Sequence, residues 1–282
     1  MKIEPKSPVV ITASYLLFGV MLLSSAVFLG NRAGRAYSAE TVVPDSEYEN
    51  AIVQNTDALQ NEFSSAASES PSETPLVNAH NGLLIIDAGH GGEDGGASSA
   101  DGLIEKELNL AISDDIASLC VLFGVPYKMT REDDRLLYDR YNEYTDYKGR
   151  KKSLDLKNRL RFTEESGGSM FLSIHMNKFT DPKYSGLQVY YSPNSDDSRA
   201  LAEVMQNYVK LHLQKDNDRQ SKKATSSIYL LNKMKIPSLL VECGFLSNAD
   251  ECKCLAEPAY RASLACTVFS PILEYFVRNN AV

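Results

Sequence analysis

A few side chains stand out for the chemistry they could share: His90, His175, Glu242 and an acid at Glu105 or Glu107. His90 sits in "IIDAGHGGEDGG" (residues 85–96), an apolar run that ends in Asp87 and opens into a cluster of glycines. Glycine permits close approach and unusual dihedrals, so a histidine held there has room beside it. His175 closes the apolar run "MFLSIH", and Glu242 lies inside "LLVECGFLSN". Imidazole and carboxylate both ligate zinc, and a catalytic zinc site keeps one position for water. An acid within an apolar strand is costly without a partner. Glu242 therefore reads either as a general base with an environmentally tuned pKa or as half of a structural ion pair with Arg159 or Arg161. For His175 the alternative is a satisfied core histidine. The acids of "GLIEKELNL" also suit the positive end of a helix dipole. Glu105 and Glu107 share that reading equally, and spacing does not choose between them. His80 lies in a polar linker, and His212 stands among Lys and Gln on a predicted helix surface.

A nucleotide cradle fits the glycine loop poorly. Counting from Gly89, the dinucleotide fingerprint finds its second glycine at Gly91 but Asp94 at the third position, and the Lys-Ser/Thr pair of a phosphate loop is absent.

The elements that must position these residues follow from periodicity. "LLIID", "VPYKMT", "MFLSIH", "LQVYY" and "SLLVECG" read as strands, and "SSIYLL" as a short additional one. Helices are predicted from Lys106 to Phe123, stopped by Gly124 and Pro126, over "LDLKNRLRFTEES", from about Ser198 to Leu213, and from Pro258 onward. Alternating strands and helices predict an α/β sandwich with a mostly parallel or mixed central sheet and helices on both faces. Ligands bind such sheets outside the carboxyl ends of the strands, which is where His90, His175 and Glu242 fall. Between the elements, "LLYDRYNEYTDYKGRKK" (residues 136–152) is a long polar insert with Tyr138, Tyr141, Tyr144 and Tyr147 at every third position. It reads as a surface loop with partly buried rings or as a substrate rim.

The 282-residue chain is 43% hydrophobic with a formal net charge of −8, enough apolar content for a sizeable core and no basic excess for nucleic acid. An uncharged run from Pro8 to Gly30 is long enough to span a bilayer as a helix. Residues 1–35 are expected to be a membrane anchor, or a cleaved signal if "AYS" at Ala36–Ser38 is processed. Residues 36–81 hold acids but no Lys or Arg and read as a disordered linker. The folded domain is expected from residue 82 to 282, on the extracytoplasmic side. Five cysteines, two of them in a Cys252-x-Cys254 pair, are too few and odd in number for a disulfide framework. They read as packing residues, with a Cys252–Cys266 or Cys254–Cys266 bridge open to an exported domain.

The ordered segments "IIDAGHGGEDGGA", "GLIEKELNLAI", "MTREDD", "DLKNR", "FLSIHMN" and "LLVECGFLSN" resemble the zinc-dependent N-acetylmuramoyl-L-alanine amidases of bacterial cell-wall turnover, over residues 83 to 276. The resemblance implies zinc ligands at His90, Glu105 and His175, a catalytic glutamate at Glu242, and hydrolysis of the amide joining the muramoyl lactyl group to L-alanine in peptidoglycan. Within the family the chain looks closest to spore-associated amidases acting on cortex peptidoglycan, from its single apolar N-terminal segment, "IYLL" followed by "IPSLLVECGFLSN", and "KKSLDLKNR". Met176 departs from the small residue that many relatives carry after the histidine. The resemblance leaves room for a protein activator. Two rival readings are a zinc carboxypeptidase-like enzyme on stem peptides, which would need an arginine for a terminal carboxylate, and a tethered wall-binding protein without catalysis.

Overall fold

The computed structural model describes residues 82–279. The apolar N-terminal segment, the acidic linker and His80 lie outside the described residues. Among the described residues, no helix is long and apolar enough to cross a membrane.

β1 (Leu84–Ala88) is buried at all five positions, as expected of a strand covered on both faces. α1 (Glu105–Phe123) follows, with Leu108, Ile112, Ile116 and Cys120 buried at helical spacing. Full burial of each isoleucine stabilises by about 1.5–3 kcal/mol. Gly124 ends the helix at φ 66°, its N–H turned back onto the carbonyls of Cys120 and Val121, a conformation that glycine adopts without a Cβ penalty. Then come β2 (Tyr127–Met129), α2 (Lys151–Glu165), β3 (Met170–Asn177), β4 (Gln188–Tyr191), α3 (Asp196–His212), β5 (Lys222–Lys223), α4 (Tyr229–Lys233), β6 (Ser238–Phe245), α5 (Ala249–Ala256) and α6 (Pro258–Asn279).

The six strands form one mixed sheet in the order β2-β1-β3-β6-β4-β5. β2, β1, β3 and β6 run parallel; β4 is antiparallel to β6 and parallel to β5. α1, α3 and α6 pack together on one face. On the other, Phe162 of α2 and Leu230 and Leu231 of α4 close over Ile85, Phe171 and Leu240. The carboxyl ends of β1, β3 and β6 therefore meet at one edge of the sheet.

One expectation is corrected, one strand was not anticipated, and the open question of the cysteines is answered. The "SSIYLL" segment, read as a strand, is a turn from Thr225 to Ile228 followed by the short helix α4. Leu230 and Leu231 are adjacent and both buried; an apolar run this short does not distinguish strand from helix. β5 escapes the hydrophobic pattern because it is two exposed lysines on the sheet edge, the residue type that blunts an edge. All five cysteines are free, so neither bridge to Cys266 forms. The Cys252 thiol instead lies against the carbonyls of Phe245 and Leu246.

Candidate metal centre

The loop after β1 carries His90 at φ 60°, a left-handed conformation that is uncommon outside glycine. Two buried arginines hold this backbone. Arg159 of α2 donates from Nη1 to Asp87 Oδ1 at 2.6 Å and to the Ala88 carbonyl at 2.8 Å. From Nη2 it donates to the His90 carbonyl at 2.7 Å, and from Nε to Asp155 Oδ2 at 2.8 Å. Arg131 donates to the carbonyls of Ala88, Gly89 and Lys106 at 2.8, 3.0 and 2.8 Å. Thr130 and Ser173 hydroxyls complete the shell of Asp87 at 2.7 and 2.6 Å. Burial alone would raise the Asp87 pKa, but the Arg159 charge and these hydrogen bonds outweigh it and hold the carboxyl below its ordinary range. Strained backbone persists only where surroundings over-determine it, and such sites cluster at functional centres.

Two glycines are required by close approach. A Cβ on Gly89 would lie 2.3 Å from the His175 ring, and one on Gly96 would lie 2.5 Å from Glu105 Oε2 and 2.8 Å from His90 Cδ2. The glycine cluster thus lets two imidazoles and a carboxylate come together.

His90, Glu105 and His175 each offer a ligand atom, and these atoms all lie within 4.8 Å of one another. Glu105 is the first residue of α1 and only 3% exposed. Its Oε1 stands 3.2 Å from His90 Nε2 and 3.0 Å from His175 Nδ1 and accepts from the Met176 amide at 3.0 Å. Its Oε2 accepts from the Ala97 amide at 2.7 Å. Burial pushes the Glu105 pKa up, but the hydrogen bonds and charges of His175 and His90 outweigh that and depress it strongly. Glu107, equivalent on spacing alone, is exposed. The two imidazole rings meet edge to face, centroids 5.0 Å apart.

His90 Nδ1 faces Asp94 Oδ2 at 3.0 Å, and Lys152 lies 3.4 Å from the same oxygen. Burial lowers the His90 pKa, yet Glu105 and Asp94 together raise it. A carboxylate on the far nitrogen fixes the tautomer and ring orientation of a ligating histidine.

Glu242 stands opposite His175 across the β3–β6 ladder. Neither arginine considered for an ion pair reaches it: Arg159 is bound to Asp87 and Asp155, and Arg161 to Glu143 and Glu165. Its Oε2 is buried and has no hydrogen-bond partner among the described residues. Burial raises the Glu242 pKa, His175 opposes that rise, and the Glu105 charge adds to it. Such an oxygen is a costly feature in a folded protein unless something outside the chain satisfies it. Two imidazoles, a carboxylate and an adjacent unsatisfied acid form a donor set that fits zinc with its water. His212 is exposed beside Tyr208, on the far helix α3.

Sequence reasoning did not single out Asp94 or Arg131. Asp94 had a signal in its position four residues beyond His90. Arg131, within the charged "REDD", had none.

The geometry has counterparts among known proteins. Residues 84–274 match the family model described as N-acetylmuramoyl-L-alanine amidase. The germination-specific N-acetylmuramoyl-L-alanine amidase of Bacillus subtilis is 32% identical over 218 residues, covering 77% of this chain and 88% of that one. Among solved structures, the CwlD amidase from Clostridioides difficile in complex with the GerS lipoprotein is 39% identical. It superposes with a TM-score of 0.65 over 71% of this chain and 100% of that one. The N-acetylmuramoyl-L-alanine amidase AmiC2 of Nostoc punctiforme is 31% identical with a TM-score of 0.59, over 71% and 99% of the two chains. With a matching model over most of its length and relatives above 30% identity, the chain belongs to the N-acetylmuramoyl-L-alanine amidase family of peptidoglycan hydrolases.

Proposed function

We propose that this amidase holds a zinc ion with His90, Glu105 and His175 and uses Glu242 as the acid–base group that cuts the bond between the muramoyl lactyl group and L-alanine. The observation that carries the reading is the buried, unpartnered Oε2 of Glu242 one strand from His175. When bound, zinc would supply Lewis acidity to the scissile carbonyl and to the attacking water. Glu242 receives the proton of that water and delivers it to the departing alanine nitrogen. Its raised pKa suits both halves of the transfer. Asp94 holds the His90 ring in register, and Arg159 holds the loop beneath it. Mass spectrometry of digested peptidoglycan tests the reaction: muramic acid freed of its peptide is expected, and its loss with a chelator is expected if the ion is needed. Shortened stem peptides on an intact muramoyl bond would instead indicate the carboxypeptidase reading.

A role in spore germination is supported by the similarity to the germination-specific Bacillus subtilis enzyme. The Clostridioides difficile structure is a complex with a lipoprotein, which supports a protein partner here too. The apolar run at residues 8–30 supports an extracytoplasmic enzyme held at a membrane. Fractionation of cells with and without that run tests the placement. Residues 36–81 would then be a linker and 82–282 the catalytic domain. A chain beginning at Asn78 is expected to fold and bind metal, and aggregation of that chain would move the boundary.

A further inference from the structure

At the edge where the strands end, three side chains form a row. His175 of β3 pairs with Glu242 of β6, and Glu242 pairs with Gln188 of β4. Residues directly opposite on neighbouring strands point to the same face. Arg219, in the loop before β5, extends the row. Its Nη1 donates to Gln188 Oε1 at 3.0 Å and its Nε to the Ser185 carbonyl at 2.7 Å. Its guanidinium lies over the Phe245 ring, 4.5 Å from the centroid, and Tyr184 stacks on that ring at 6.4 Å. The Gln188 amide is itself fixed by donating to the Gln220 carbonyl at 2.6 Å.

These partners hold the guanidinium in place without neutralising it. A carbonyl, an amide oxygen and a ring are all uncharged, and among the described residues no carboxylate forms an ion pair with Arg219. Glu251 feels its field, but the Glu251 carboxylate accepts from the amides of Gly186 and Phe245 at 2.9 and 2.7 Å. A guanidinium has five N–H donors in a rigid fork. Two are used here, and the fork matches a carboxylate.

We propose that Arg219 determines specificity by binding a free carboxylate on the peptide half of the substrate, one residue beyond the alanine whose nitrogen is released. The proposal rests on Glu242 marking the reacting bond. Adjacent strands are about 4.8 Å apart, so the guanidinium stands one strand spacing and one hydrogen bond beyond Glu242. Two extended residues span about 7 Å, which brings a carboxylate on the second residue within reach. In peptidoglycan the second stem residue is a glutamate joined through its side chain, so its α-carboxyl is free unless amidated.

The test uses the full zinc-loaded protein and two synthetic muramoyl peptides that differ only in that group, carboxylate or carboxamide. A hydrogen-bonded charge is worth about 10–100-fold in affinity. Wild-type enzyme is therefore expected to favour the carboxylate by about 10–100-fold in kcat/KM, mostly through KM. In Arg219→Gln that ratio should fall to within about threefold of one, with Arg219→Lys between. Both substrates are measured on one preparation, so partial unfolding cancels in the ratio. A wild-type ratio near one, or an unchanged ratio in Arg219→Gln, overturns the proposal. If Arg219→Gln yields no folded protein, the wild-type ratio and Arg219→Lys decide. If wild-type enzyme releases neither peptide at the muramoyl amide, the reaction assigned above falls, and this inference with it.

Discussion

Replacing Glu242 with Gln separates holding the metal from using it. Gln keeps the shape of the side chain and removes the proton acceptor. If His90, Glu105 and His175 are the ligands, Glu242→Gln retains about one zinc per chain, whereas His175→Ala loses metal and activity together. A positioned acid–base group contributes about 10²–10⁴-fold, or about 3–5 kcal/mol of barrier at 1.36 kcal/mol per tenfold. Turnover on a purified muropeptide should fall by at least 10²-fold with KM little changed. Stability adds an independent reading. The Glu242 pKa is raised in the folded protein, chiefly by burial. A raised carboxyl favours the fold below its ordinary range and loses that advantage as pH rises through the folded value. At neutral pH the ionised, partnerless carboxylate therefore costs stability. Metal-free Glu242→Gln should melt at or above the wild-type temperature, the two converging in acid. Metal content by atomic emission, turnover and a pH series of melts make the assay. Loss of zinc as complete as in His175→Ala would make Glu242 a ligand and return Glu105 to the start of a helix. Full zinc with full rate would place the base elsewhere and refute the mechanism.

Glu105→Gln should lose most bound zinc while Glu107→Gln keeps it, read by the same metal analysis; equal loss would count against the ligand set. Arg159→Met leaves Asp87 and Asp155 buried without a cation and should destabilise by about 3–5 kcal/mol in urea unfolding. Asp87 has a lowered folded-state pKa, so its stabilisation is present above the ordinary carboxylate range and lost as pH falls through the folded value; the gap between wild type and Arg159→Met should narrow in acid. The tyrosine insert packs on itself and on cations, Tyr138 on Tyr147 and Arg161 over Tyr141, while Lys151 reaches Glu93 of the His90 loop at 2.7 Å. Deleting residues 141–151 should raise KM on polymeric peptidoglycan with zinc still bound, and unchanged kinetics would reject a role as a substrate rim.

What could be read in advance depended on how local its cause was. β1, β3 and β6 are each a largely apolar run that carries a polar residue toward its carboxyl end, Asp87, His175 and Glu242, and the rule that ligands bind beyond strand ends placed His90, His175 and Glu242 at one edge from the sequence alone. The choice of Glu105 over Glu107 came from resemblance alone, because both suit a first helical turn; only the fold turns one toward the histidines. Nothing around Arg131 in "REDD" marks it, because its place is set by the carbonyls of Ala88, Gly89 and Lys106, distant in sequence. Arg219 was equally silent, since its place depends on the pairing of β4 with β5. The tool of hydrophobic pattern failed at "SSIYLL" and at β5, one too short and the other too polar to carry a period.

The position of β6 within the sheet has a further consequence. It is flanked on both sides, by β3 and by β4, so two ladders pin Glu242 beside His175. Arg219 lies in the loop leading into the two-residue β5, the edge strand, which has a partner on one side only. Changes at that rim can accumulate without displacing the reacting groups. A lineage of such enzymes could thus drift from one peptide to another by altering its outer strands and loops while the centre of the sheet stays as it is.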